Sequence, residues 1–340
     1  SDAAIHLTRD TDATHAAGGV YRQGKSIVCL KSHGMNESIL KIENLSHRYS
    51  VQWAIRDINF EIDKNGIYGL LGSNGAGKST TMNIICGVLK QTEGSVSIKG
   101  IDMRKDPVQA KRHIGFLPQI PPLHPDLTVE EYLVHCANLR YVPKNDVNKA
   151  VDEVTVRCGI SHFKKRLIRN LSGGYQQRLG IAQAIIHNPD FVVFDEPTNG
   201  LDPNQIVEIR HLIKEIAQER TVILSTHILT EVQATCDHIY MIEQGSLVFS
   251  GSVDEFDNYI EPNSLLLSLL ANPGTEELRL IPGITGVEEL GGSRYRLRFN
   301  NTPEIAERIV ETSVAKGWRL NEINLEKSSM DSVFAELSKK

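Results

Sequence analysis

The sequence predicts an α/β fold built on a mainly parallel sheet, followed by a smaller α+β region. Three observations carry this. Short apolar segments at residues 67–71, 191–194 and 222–224 alternate with stretches of helical periodicity. Apolar runs of that length between helices read as strands buried on both faces, as in a parallel sheet covered by helices. The first of these strands runs directly into a glycine-rich turn, Gly72-Ser73-Asn74-Gly75-Ala76-Gly77-Lys78-Ser79, and then into a helix. Near Asn263 the character changes to strand, helix, strand, strand.

Residues 1–34 are rich in Ala, Thr, His and Gly, keep no sustained period, and lack the long apolar core of a secretory signal. They read as a flexible arm or gene-boundary segment without catalytic function, with Met35 opening the orderly sequence. From residue 39, Leu40, Ile42 and Leu45 alternate with polar residues, which suits a strand near a sheet edge. Residues 55–62 alternate again, with Ile58, Phe60 and Ile62 on one face. Beyond Ser79, the spacing of Met82, Ile85, Val88 and Leu89 suits a helix laid against a sheet.

Between residues 121 and 171 the strand signals vanish. Thr128-Val129-Glu130-Glu131 has the form of a capped helix start, and 147–158 reads as another helix. This is a helical insertion. After Ser172 a helix through 184–186 leads to the strand Phe191-Val192-Val193-Phe194. Asp202-Pro203 opens the next helix, and 222–224 is a further buried strand.

In the last part, a strand at 265–270, a helix at 275–281, and strands at 287–290 and 295–299 follow in order, the last two joined by a turn at Gly291-Gly292. A helix over 303–315, a strand near 320–325 and a helix over 329–337 complete a ferredoxin-like pattern with an added helix. Few acids, bases or nucleophiles converge there, so no catalysis is assigned to it. The expected division is an arm at 1–34, a main domain at 35–262 and a small α+β domain at 263–340, consistent with 340 residues being long for a single domain.

A formal charge of −5 gives no reason to expect nucleic acid as a partner. Five cysteines, Cys29, Cys86, Cys136, Cys158 and Cys236, are odd in number and scattered, which suits neutral thiols rather than a metal site. No apolar run approaches the roughly 20 residues needed to span a bilayer.

The glycine turn has an explicit chemistry. Glycines let backbone N–H groups approach phosphate oxygens closely, and the following helix points its positive end at the same charge. In this pattern Lys78 reaches the β- and γ-phosphates and the Ser79 hydroxyl can coordinate Mg²⁺. Asp195 and Glu196 end a buried strand, at the carboxyl edge where parallel sheets bind ligands. There Asp195 would hold Mg²⁺ and Glu196 would polarise an attacking water as general base.

Leu171-Ser172-Gly173-Gly174-Tyr175-Gln176-Gln177 matches the signature of the ATP-binding-cassette (ABC) ATPases. Gln119 in Leu117-Pro118-Gln119, Asn199-Gly200-Leu201-Asp202, and Ser225-Thr226-His227 fall in that family's order around it. Over residues 39–260 the chain thus resembles an ABC transporter ATP-binding protein, of the bacterial ABC-2 or drug-exporter type with a C-terminal extension, as in antibiotic-export and gliding-motility ATPases. The resemblance implies a P-loop NTPase cassette with a mainly parallel core sheet, an antiparallel β region and a helical subdomain at about 121–180. It implies ATP and Mg²⁺ as ligands, with nucleotide contacts from the loop residues 72–79 and Thr80.

The resemblance further implies that Ser172, Gly173, Gly174 and Gln176 serve the ATP held by a second copy. Asp202 would cross that dimer interface, although Asp before Pro203 is also an ordinary helix cap. Tyr49 resembles the family's adenine-stacking aromatic, where a lone tyrosine is otherwise simple packing. Gln119 resembles the glutamine that senses Mg²⁺ and the attacking water. His227, one of 12 histidines, resembles the one that contacts the γ-phosphate. The implied protein hydrolyses ATP on the cytoplasmic face of the cell membrane, joined to a separate membrane-spanning permease, with export as the direction. The competing class is a soluble ABC ATPase of the DNA-repair or translation type. Those carry a long coiled coil or a second cassette, and neither fits here.

Overall fold

The computed structural model describes residues 38–260, 263–300, 304–326 and 330–338; the expected arm and Cys29 lie outside them. The chain opens with β1 (Leu40–Tyr49), β2 (Gln52–Ile62), β3 (Ile67–Leu71), α1 (Lys78–Ile85), β4 (Glu93–Ile98), β5 (Ile101–Asp102), α2 (Pro107–Arg112) and β6 (Ile114–Leu117). It continues with α3 (Val129–Leu139), α4 (Val147–Arg157), α5 (Gly173–Ile185), β7 (Phe191–Asp195), α6 (Pro203–Ala217), β8 (Thr221–Thr226), α7 (Leu229–Thr235), β9 (His238–Glu243), β10 (Ser246–Ser252) and α8 (Val253–Asp257). The last elements are β11 (Ser264–Leu269), α9 (Thr275–Arg279), β12 (Ile284–Gly291), β13 (Arg294–Phe299), α10 (Ile305–Lys316), β14 (Leu320–Glu326) and α11 (Met330–Leu337).

The central sheet has six strands in the order β10-β9-β3-β8-β7-β6. Its pairs are parallel except for β10, which returns antiparallel on β9. Every residue of β3, β7 and β8 is buried, as their unbroken apolar runs require. Alternation along β7 shares its side chains between two cores. Val192 and Phe194 join the helices α3 to α6, whereas Phe191 and Val193 join β1, β2, β4 and α1.

The second sheet, β2-β1-β4-β5, is antiparallel. The first strand, expected near a sheet edge, is second from it: β1 lies between the edge strand β2 and β4. Local alternation reveals a half-buried strand but not which strands lie beside it. The helical insertion forms as expected, and Thr128 and Glu131 make a reciprocal capping box at the start of α3.

The third sheet is antiparallel, in the order β12-β13-β11-β14. Counted among its own four strands this is 2-3-1-4, the ferredoxin-like arrangement. It has its own core, including Leu265, Leu267, Tyr295, Leu297, Ile309 and Trp318. The added helix α11 does not belong to that core. Its buried face, Met330, Val333 and Leu337, joins the cluster that contains Phe256 of α8.

Candidate nucleotide site

Because β3, β8 and β7 are neighbours with Leu71 opposite Thr226 and Ser225 opposite Asp195, their carboxyl ends meet at one edge. There the loop after β3 and Glu196, which follows β7, face one space. Gly72 is fixed by space, since a Cβ would lie 2.1 Å from the carbonyl oxygen of Ile242. Gly77 is fixed by both space and conformation: φ is 111°, and a Cβ would lie 2.5 Å from Ile55 Cγ2.

Lys78 opens α1 and is buried, its Nζ donating to the carbonyls of Gly72 at 2.7 Å and Ser73 at 2.8 Å. Burial lowers its pKa from the usual lysine value, while Glu196, Asp195 and Glu243 oppose that shift. Asp195 is buried and accepts a hydrogen bond from the Ser225 hydroxyl. The next residue, Glu196, adopts φ of 50°, which ends the strand, and its amide donates to Ser225 Oγ at 3.0 Å. His227, just past β8, holds Nδ1 2.9 Å from both oxygens of Glu196.

A cavity of about 600 Å³ opens over this edge. Tyr49, Asn74, Gly75, Gly77, Lys78, Ser79, Thr80, Gln119 and Glu196 line it, so nine of the residues singled out from sequence converge on one space. Gly72, Ser73 and Ala76 form the rest of the loop behind that lining. Tyr49 is 54% exposed, with one edge contact to His47 at 4.8 Å between ring centroids. A largely exposed aromatic at a cavity rim has little packing role of its own.

The signature residues lie elsewhere. Ser172 stands at the N-cap of α5 without capping it, and Ser172 and Gly173 are exposed. Gly174 is buried against α6, where a Cβ would meet Gln205 at 2.7 Å. None of Ser172, Gly173, Gly174 and Gln176 lines the cavity. The Gln176 amide is committed to its own chain, donating to the carbonyl of Leu171 at 3.2 Å. Asp202 caps α6, accepting from the amides of Asn204 and Gln205, each at 3.0 Å.

Several residues escaped the sequence reading. Trp53 lines the cavity with Tyr49, and the guanidinium groups of Arg48 and Arg56 lie over its ring at 5.6 and 5.2 Å from the centroid. Gln52, Ala54, Gln244 and Gly245 complete that wall. Glu243 accepts from the hydroxyl of Ser73 at 2.6 Å and from its amide at 3.2 Å. The rule that found Asp195, an acid ending an apolar strand, applies equally to Glu243. Among the described residues, no group of three or more His, Cys, Asp and Glu side chains could hold a metal by itself. Cys86, Cys136, Cys158 and Cys236 are free and buried, and burial pushes the Cys158 thiol up to about 12.

Residues 55–199 match the family model described as ABC transporter. Over 213 residues the chain is 38% identical to the bacitracin transport ATP-binding protein BcrA of Bacillus licheniformis, covering 62% of this chain and 69% of that one. The chain belongs to the ABC transporter ATP-binding protein family. As a member of it, this cassette is an ATPase that binds ATP. The linearmycin resistance ATP-binding protein LnrL of Bacillus subtilis is 27% identical and aligns with 88% of the cassette chain and 98% of its own. A solved dimeric, post-hydrolysis cassette bound to ADP and Pi is 27% identical with a TM-score of 0.58, covering 63% of this chain and 98% of that one. The cassette is accordingly an ABC transporter's ATP-binding subunit.

Proposed function

We propose that two copies of this cassette close around two ATP molecules with Mg²⁺ and drive a separate membrane-spanning subunit that exports its substrate. One observation carries this reading. The cavity already has a complete phosphate loop, while Ser172 and Gly173 present an exposed helix start outside it. A helix N-terminus with an uncommitted hydroxyl suits a γ-phosphate, and the second copy is the source of one.

Lys78 binds the phosphates, Tyr49 receives the adenine, and Glu196, oriented by His227, takes the proton of the attacking water. Asp202 meets the opposite copy. The residues present fit Mg²⁺: Ser79, Gln119 and the buried Asp195 supply hard oxygen donors, one of them a carboxylate. Mg²⁺ is held by one or two carboxylates together with substrate phosphates rather than by an all-protein cage. It supplies charge neutralisation at the transferred phosphoryl group.

Among the described residues no helix is long and apolar enough to cross a membrane, which supports a partner chain for that task. The insertion between Gln119 and Ser172 contains α3 and α4, each of 11 residues, too short for the coiled coil of the soluble class. The bacitracin transport and linearmycin resistance relatives support export, and a cassette joined to such a membrane subunit would sit at the cytoplasmic face of the cell membrane.

Ser172→Arg tests the shared site. It should abolish ATP-dependent dimerisation and steady-state hydrolysis while ATP still binds the monomer. Normal hydrolysis in that variant would overturn the dimer, and failure of the tagged chain to copurify with any membrane-spanning protein would overturn the transporter assembly.

A further inference from the structure

Glu231 on α7 is a buried carboxylate to which neither phosphate binding nor water activation gives a role. It is 5% exposed. Its Oε2 accepts from the hydroxyl of Thr198 at 2.8 Å and from the hydroxyl of Thr226 at 3.1 Å. Its other oxygen lies 3.8 Å from the guanidinium of Arg210. Burying a carboxylate is costly unless hydrogen bonds and charge compensate it, so such a group fixes the elements that bond it.

Those elements are functional. Thr198 lies within the segment that runs from Glu196 to Asp202, and Thr226 immediately precedes His227. The carboxylate of Glu231 therefore ties the segment after the catalytic acid to the turn that carries the histidine. A second buried amide extends the connection: Gln177 Nε2 donates to the carbonyl of Pro197 at 2.7 Å. Gln177 is on α5, the helix that starts at the signature. A continuous polar path thus leads from α5 through Pro197, Thr198, Glu231 and Thr226 to the His227–Glu196 pair.

We infer that Glu231 is a positioning residue that couples the signature helix and the 197–202 segment to the His227–Glu196 pair, making the two ATP sites of the dimer interdependent. The inference rests on the dimer proposed above. In that dimer the signature of one copy engages the ATP held by the other, while Glu196 and His227 act on the ATP of their own copy. The Glu231 path joins those two tasks within one chain. Engagement at one site then sets the catalytic geometry at the second, a reciprocal coupling between sites.

The test is steady-state hydrolysis by the full chain across ATP concentrations. The wild type should be cooperative. Thr198→Val removes one hydroxyl and leaves Glu231 in place; it should lower kcat about tenfold, leave KM within about twofold, and bring the Hill coefficient towards one. Glu231→Ala should do the same, and Thr198→Ser should restore all three readings. A purely structural contact would not produce that split or that rescue. Wild-type kinetics in Thr198→Val, equal impairment in Thr198→Ser, or a non-cooperative wild type would each overturn the coupling. Absence of an ATP-dependent dimer in Glu196→Gln, measured in parallel, would overturn the dimer reading itself. Should Glu231→Ala fail to fold, the Thr198 pair still decides the question.

Discussion

His227 Nδ1 lies 2.9 Å from each carboxylate oxygen of Glu196, so the two side chains form one unit at the cavity edge. A carboxylate can only accept, which makes Nδ1 the donor and fixes the imidazole's orientation. If Glu196 is the general base, its loss removes proton transfer without removing the nucleotide cradle. Glu196→Gln should keep ATP binding, lower turnover by about 10²-fold or more, and accumulate as an ATP-bound dimer on size-exclusion chromatography. His227→Ala should also lower turnover, and the double variant should lose far less than the product of the two effects. Unchanged turnover in Glu196→Gln would remove it from the base role.

Tyr49 is more than half exposed and packs mainly on the edge of His47, so the fold places few demands on it. Tyr49→Ala should therefore leave the melting temperature nearly unchanged while weakening ATP binding by about 1 kcal/mol, and Tyr49→Phe should bind normally. Isothermal titration separates the outcomes. Equal affinities for all three proteins would assign Tyr49 to packing and leave Trp53 as the aromatic wall.

The terminal helix makes the proposed boundary at residue 263 asymmetric. Val333 and Leu337 are fully buried in the cluster shared with α8. Deleting 263–340 should leave ATP binding intact but lower the melting temperature, because α11 leaves with the third sheet. Excising only 263–326 and rejoining α11 through a Gly/Ser linker should recover much of that loss. Leu337→Ala alone should cost about 2–4 kcal/mol. Loss of ATP binding in both deletions would place the domain boundary elsewhere.

His187 gives the cassette a built-in acid sensitivity. Its ring donates to the carbonyl of Ile114 at 3.0 Å. Burial, reinforced by Arg140 and Arg220, holds its pKa down at about 4, against 6.5 for the free side chain. The unfolded chain therefore binds the extra proton first. Above about pH 6.5 its titration has no effect on stability; as pH falls from 6.5 towards 4, stability falls by at most about 3 kcal/mol. Between pH 7 and 4.5, urea titrations should show wild type losing more stability than His187→Gln. Parallel curves would contradict the burial of the neutral ring.

Much of the site was legible in the chain because its chemistry is local. Gly72 and Gly77 are demanded by backbone positions that no side chain tolerates, and Lys78 and Ser79 follow within the same turn. Asp195 and Glu196 were readable because an acid after an unbroken apolar strand has one place to go, the sheet's carboxyl edge. Trp53 was not, because its nearness to the loop depends on the β1–β2 hairpin folding over it, with Arg48 opposite Trp53. The neighbours of β1 were not legible for the same reason, since pairing with β4 is decided more than 40 residues downstream.

The sequence by itself determined the strand–loop–helix cradle, the acids and histidine that face it, the signature, and the ferredoxin-like order of the last elements. The cradle, the acids and the element order are set by periodicity or by contiguous residues whose backbone requirements are short-range, whereas the signature and His227 were legible through the resemblance to the ABC ATPases. The tertiary structure alone decided that Glu231 joins Thr198 to Thr226, that Glu243 holds Ser73, and that α11 packs beside α8 rather than on the third sheet. An amphipathic helix or a lone acid carries no record of its partner. Burial selects that partner only when distant segments meet.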